Sequence, residues 1–171
     1  TEKIIRIPRS YAFDVEEQLP DVTEAPCVNN NFITFGSFNR LNKINREVIA
    51  LWCEVLRKLP DSRLQMAGMP SDGAPDELLT WFKEEEISED RLYFYPRSGF
   101  VEYLKLHNQV DFCLDTFPYT GGTTTMHALW MGVPTLTLIG DTYPSAQGGA
   151  VNNRAGLSQY FIADSQAEFV A

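Results

Sequence analysis

The residues best suited to chemistry are a loop and helix start at residues 115–125, DTFPYTGGTTT, and one lysine far upstream, Lys43. Gly121 and Gly122 stand directly before Thr123, Thr124 and Thr125, which read as the first turn of a helix. A helix start carries unpaired N–H groups and the positive end of the macrodipole. Glycines at that point let a ligand approach the backbone, because no Cβ intervenes. The threonine hydroxyls add donors. No acidic side chain lies between Thr116 and Ala128. The combination suits an anion, and a phosphate in particular. The plainer alternative is that Thr123 only caps the helix.

These residues need a scaffold, and the surrounding pattern supplies one. Residues 32–36 (FITFG), 63–67, 91–95, 111–114, 135–139 and 160–163 read as apolar strands rich in β-branched and aromatic side chains. Helices are expected at 45–59, capped by Asn45, from Pro75 through Leu78, Leu79 and Phe82, and at 100–108, 123–131 and 150–157, with a last one opening at Ser165. Strands alternating with helices predict an α/β fold, a doubly wound parallel sheet of the Rossmann-like kind. Six strands suggest the order 3-2-1-4-5-6. Strands one and four then flank the topological switch point, where ligands bind beyond the carboxyl ends. That order brings Lys43, in the loop after strand one, beside the Gly-Gly-Thr helix start after strand four.

Composition narrows the function. The chain has 171 residues, is 44% hydrophobic and 12% aromatic, and carries 23 acidic against 14 basic side chains, a net charge of −9. It reads as a globular domain with a sizeable core. The charge argues against a nucleic-acid or anionic-membrane surface, though not against a small local phosphate site. Cys27, Cys53 and Cys113 are far apart and odd in number, which predicts reduced thiols and a cytoplasmic setting. No apolar run approaches the ~20 residues of a membrane span, and no signal peptide is evident. Neither a Cys/His metal cluster nor a Ser-His-Asp spacing is present. Residues 1–30 are expected to be an irregular linker, with a short strand at 3–8, and residues 31–171 the domain proper. The chain starts without methionine and stops inside a new helix, so a piece of a longer protein is expected.

The runs FGSFNRLNKI (residues 35–44), RLYFYP (91–96) and DFCLDTFPYTGGTTTMHALWMGVPTLTL (111–138) resemble the carboxy-terminal half of the O-linked N-acetylglucosamine transferase family. Bacterial members with upstream tetratricopeptide repeats and the plant Spindly proteins look similar. The resemblance implies one half of a GT-B glycosyltransferase that takes a nucleotide sugar, UDP-GlcNAc foremost, as donor substrate, without a cofactor or an essential metal. It implies that Lys43 contacts the diphosphate and serves catalysis. It implies that Gly121, Gly122, Thr123 and Thr124 cradle the distal phosphate, and that the stretch from Arg97 to Tyr103, including Ser98 and Tyr103, receives the base. His127 stands where many bacterial relatives carry an acidic residue that holds the ribose, so ribose recognition is expected to be weaker here. The partners implied are a protein or carbohydrate acceptor, an amino-terminal catalytic half and the repeats. A degenerate module that binds a nucleotide sugar or scaffolds partners, and a sugar-nucleotide epimerase of the same architecture, are the competing readings.

Among single residues, Asp115 is expected to brace the loop rather than act as acid or base. Asn39 is expected to order its own loop, and His107 to be a structural histidine. His127 is expected either to reach the ribose or to pack under the loop. If it reaches the crevice and is protonated, anion binding would strengthen as pH falls through about 6.5. Arg40 and Arg154 are weaker anion candidates, Arg154 being placed with Asp141 at one sheet edge.

Overall fold

A computed structural model describes residues 19–171. The strand expected at 3–8 lies outside the described residues. The strands are β1 (Thr34–Ser37), β2 (Arg63–Met69), β3 (Leu92–Pro96), β4 (Phe112–Leu114), β5 (Thr135–Leu138) and β6 (Ile162–Ala163). They form one sheet in the order β3-β2-β1-β4-β5-β6, with every pair parallel. This is the order expected from alternating strands and helices, and the Rossmann-like half of a GT-B fold.

The helices are α1 (Cys27–Asn30), α2 (Arg46–Lys58), α3 (Asp76–Glu84), α4 (Phe100–His107), α5 (Thr123–Trp130), α6 (Tyr143–Arg154), α7 (Ser158–Phe161) and α8 (Gln166–Val170). Asn45 caps α2 by accepting the Val48 N–H at 2.9 Å. Val48, Trp52, Val55 and Leu56 then fall at helical spacing on one apolar face. That face packs with Leu78 and Phe82 of α3 and Phe169 of α8 against Phe35, Leu64, Met66 and Leu92 of the sheet. The opposite face of the sheet is covered by α4 and α5, through Ala67, Val110, Cys113 and Ala128 with Tyr103 and Leu106. Both faces of the strands are therefore buried, as near-continuous apolar strands require. Burial drives the Cys53 thiol up to about 12 and raises the Cys113 thiol as well.

Two elements differ from expectation. The helix expected at 150–157 begins at Tyr143 and ends at Arg154. Thr142 and Ser145 form a reciprocal capping box and Pro144 occupies the first turn, so the start is set seven residues earlier than apolar spacing indicates. This removes Arg154 from the carboxyl edge: it sits at the far end of a 12-residue helix, while Asp141 lies just before its start. The sixth strand keeps only Ile162 and Ala163, because residues 158–161 close a helical turn first.

The segment before β1 is tied down by side chains. Asp111 accepts the Cys27 N–H at 2.8 Å and the Thr34 N–H at 2.7 Å. Asn108 accepts from Thr23 N–H and donates to the Asp21 carbonyl. No helix among the described residues is long and apolar enough to cross a membrane.

Candidate functional site

At the carboxyl ends of β1 and β4 the chain brings Lys43 and the start of α5 together. The link is direct: Lys43 Nζ donates to the Thr120 carbonyl at 2.9 Å and sits 4.0 Å from the centroid of the Tyr119 ring. Burial pushes the Lys43 amine below the ordinary lysine range, Asp115 pushes it back up, and Arg40 pushes it down again. A partly desolvated ammonium strengthens any contact with an incoming anion.

The start of α5 has no side-chain cap. Gly122 is its N-cap residue, Thr123 the first helical residue, and no side chain bonds to the exposed amides. Thr123 is therefore not the cap. It is exposed at the rim, while Thr124 is partly buried. The Thr124 hydroxyl donates to Asn39 Oδ1 at 3.0 Å. The Thr125 hydroxyl is buried without a partner among the described residues.

The two glycines stand in different surroundings. A Cβ on Gly121 would stand 2.5 Å from Thr125 Oγ1 and 2.7 Å from Thr124 Oγ1. Its N–H is already donated to Asp115 Oδ1 at 2.7 Å. Over Gly122, Gln147 Oε1 of α6 would lie 2.7 Å from an added Cβ. Gly121 is hemmed in by the Thr124 and Thr125 hydroxyls, while over Gly122 stands only the flexible end of Gln147.

Three residues hold this loop from below. Asp115 braces it, accepting from Gly121 N–H, Thr116 N–H, Asn39 Nδ2 and Thr137 Oγ1. Trp52 of α2, fully buried, donates its indole N–H to the Asp115 carbonyl at 3.1 Å. Thr120 donates both its N–H and its hydroxyl to the Pro144 carbonyl, and its Oγ1 accepts from Gly148 N–H. Asn39, Thr120 and Gln147 were not expected at the site in these roles. A sequence signal for two of them existed: the Thr-x-Pro-Ser run at 142–145 marks the start of α6, and with it the element that Thr120 and Gln147 meet.

The helix α4 forms the other wall. Tyr103 packs edge-on against Phe38 and His107, and within 6.2 Å of the Phe100 ring. Its hydroxyl lies 3.3 Å from His127 Nδ1, and His127 also meets Phe100 edge-on. His127 thus shares α5 with the threonines but is engaged by α4. Burial lowers its pKa below the ordinary histidine value, so it is neutral near pH 7. Any protonation-linked gain in anion binding then falls below the pH of about 6.5 expected for an unperturbed imidazole. Ser98 lies in the exposed loop between β3 and α4. His107 is fully buried and stacks on Phe38 at 3.9 Å. A groove of about 380 Å³, lined by Phe32, Arg63, Gln65 and Tyr93 among others, lies at the amino ends of β1, β2 and β3 and is separate from this crevice. Among the described residues no cluster of three or more His, Cys, Asp or Glu side chains is placed to hold a metal ion.

Residues 22–171 match the family described as glycosyl transferase family 41. The chain is 32% identical over 174 residues to a Hordeum vulgare protein described as a probable UDP-N-acetylglucosamine–peptide N-acetylglucosaminyltransferase, SPINDLY, covering 99% of this chain and 18% of that protein. Arabidopsis thaliana SPINDLY is 31% identical over 173 residues, with 99% and 19% covered. The chain thus spans about a fifth of the length of the curated relatives it matches. Among solved structures, a mutant of Thermobaculum terrenum O-GlcNAc transferase superposes with a TM-score of 0.79 at 31% identity, over 92% of this chain and 30% of that one. The S. aureus MnaA–UDP co-structure shares the fold, with a TM-score of 0.53 at 14% identity over 81% of this chain and 35% of that one.

Proposed function

The chain belongs to glycosyl transferase family 41, and from that premise we propose that it is the donor-binding part of a glycosyltransferase that takes a UDP-sugar, UDP-GlcNAc foremost. The observation that carries the reading is the meeting of Lys43 with the uncapped start of α5 at the switch point. A leaving UDP gathers negative charge on its phosphate as the glycosidic bond breaks. A fixed ammonium and a helix N-terminus stabilise that charge without reorganising. In this reading Lys43 and the backbone of Gly122, Thr123 and Thr124 face the diphosphate. Gly121 sets the turn, and the aromatic wall of Tyr103 with Ser98 above it faces the base. His127 borders the ribose. The names of the SPINDLY relatives support a peptide as acceptor. The catalytic base and the acceptor site are assigned to the rest of a longer cytoplasmic protein.

Calorimetric titration of the chain with UDP and UDP-GlcNAc tests this. Saturable one-to-one binding of both is the expected result, and no detectable binding of either rejects the reading. The same chain is expected to transfer no sugar to any acceptor. A two-domain enzyme closes over its donor to orient the reactants and exclude water, and one wall alone supplies neither. A radiolabelled-donor assay showing robust turnover would contradict that.

His127 gives a further expected result. A neutral imidazole accepts one hydrogen bond where a carboxylate accepts two from a ribose. His127→Glu is expected to raise the preference for UDP over deoxy-UDP about fivefold at pH 7.5, the equivalent of one net hydrogen bond of about 1 kcal/mol. An unchanged ratio means that His127 serves only its contacts with Tyr103 and Phe100.

A further inference from the structure

The buried carboxylate of Asp115 is 1% exposed, yet it lies under the same crevice. Its Oδ1 accepts from Gly121 N–H at 2.7 Å, Thr116 N–H at 2.9 Å and Asn39 Nδ2 at 3.1 Å. Its Oδ2 accepts from Thr137 Oγ1 at 2.9 Å. Four donors converging on one carboxyl group are the partners of an ionised carboxylate. Burial is the larger influence and raises its pKa above the ordinary carboxylate value, and these donors offset part of that rise. The surroundings are closed: a Cβ on Gly148 of α6 would collide with Oδ2.

A carboxylate can only accept, so Asn39 must turn its NH2 toward Asp115. That leaves Asn39 Oδ1 facing Thr124, and the Thr124 hydroxyl gives its single proton to it at 3.0 Å. The direction of each hydrogen bond in this chain follows from the charge at its base. Toward a ligand, Thr124 Oγ1 then offers lone pairs. The donors left for an anion are the backbone amides of the first turn, the exposed Thr123 hydroxyl and Lys43.

We propose that Asp115 is a positioning residue of this seat: it orients Gly121 directly and Thr124 through Asn39, and its charge balances the Lys43 ammonium across the crevice. The proposal deepens the donor-binding reading and rests on it for the ligand. Lys43 and Asp115 hold opposite sides of one peptide unit, Lys43 Nζ donating to the Thr120 carbonyl at 2.9 Å and the Gly121 N–H donating to Asp115 Oδ1 at 2.7 Å; the charges of Asp115 and Arg40 bear on the ammonium, and the phenol ring of Tyr119 lies 4.0 Å from it. The contact at Thr120 is a backbone carbonyl. Removing the Asp115 charge leaves desolvation and Arg40, both of which disfavour the ammonium.

The test uses Asp115→Asn and Asn39→Ala in the 171-residue chain. Without nucleotide, the Lys43 ammonium is titrated by NMR. In Asp115→Asn its midpoint is expected to fall, the effect of losing a nearby opposite charge. Unfolding would move it the other way, toward about 10.4, so loss of fold cannot imitate the result. An unchanged midpoint in a folded chain overturns the proposal. With UDP, Asp115→Asn is expected to lose affinity at a lower pH than the parent chain, whereas a purely structural lesion lowers affinity by one factor at every pH. Should Asp115→Asn fail to fold, Asn39→Ala decides: amide exchange at residues 121–124 is expected to quicken at least about tenfold with the sheet amides unchanged, and unchanged exchange overturns the relay. If the parent chain binds no UDP, the donor-binding reading fails, while the lysine titration and the amide exchange still decide the role of Asp115.

Discussion

Lys43→Ala is expected to weaken UDP binding by one to two decades while leaving the fold intact. A hydrogen bond to a charged partner contributes about 1.5–3 kcal/mol, and each 1.4 kcal/mol is a factor of ten. The partly buried site keeps that value from being screened away, as it would be for an exposed lysine. Stability should change little, because the side chain gives up one hydrogen bond to a loop carbonyl and a contact with a half-exposed ring. Calorimetry of UDP with the parent and variant chains, beside a urea melt of each, separates the two effects. UDP affinity unchanged in a folded Lys43→Ala chain removes Lys43 from the site.

A comparable effect is expected from His107, through acid rather than through ligand. Burial holds this imidazole at a pKa of about 4, against 6.5 for the ordinary side chain. Its Nδ1 lies 3.2 Å from the Tyr103 carbonyl, and its Nε2 is buried without a partner among the described residues. The folded chain therefore binds the proton more weakly than the unfolded chain. Above about pH 6.5 neither state is protonated and no penalty exists. As pH falls from 6.5 to 4 the unfolded state gains the proton first, so stability declines through that window and levels off below it. The full loss is about 3 kcal/mol, at 1.36 kcal/mol per unit of difference. About 2 kcal/mol of it is already lost at pH 5 by the same relation. His107→Phe, which keeps a ring against Phe38, should flatten this part of the profile. Urea melts at pH 7.5 and 5 on both chains measure it, since the carboxylates common to both cancel in the difference. Equal slopes for parent and variant would show that His107 does not titrate with folding.

The expected sheet order rests on strands that are apolar without alternation, and on the spacing of the α2 face. Those features are local and intrinsic, and the observed order and the Asn45 cap agree with them. The convergence of Lys43 with the loop before α5 follows from the order alone, because both belong to loops beyond the carboxyl ends of neighbouring strands. The start of α6 was misplaced for a different reason. Gly148 and Gly149 interrupt the apolar period, and the helix is specified by its capping box at Thr142 and Ser145 instead. Once α6 starts at Tyr143, Gln147 and Gly148 reach the loop and Arg154 leaves its edge. Asn39 shows the other limit. Its two partners, Asp115 and Thr124, are 76 and 85 residues away in the chain, and no local pattern encodes such a bridge.

Thr120 makes the loop and α6 mechanically one piece. In an α-helix the Pro144 carbonyl is placed to accept the Gly148 N–H. That carbonyl also accepts twice from Thr120, 24 residues upstream, and the Gly148 N–H donates to the Thr120 hydroxyl. Thr120 is thereby joined to the first turn of α6 from outside the helix. The same residue's carbonyl is the anchor of Lys43. A ligand that displaced Lys43 from this carbonyl would act on the residue that also joins the loop to the first turn of α6. The first turn of α6, where Tyr143 is exposed, is thereby built into the floor of the crevice.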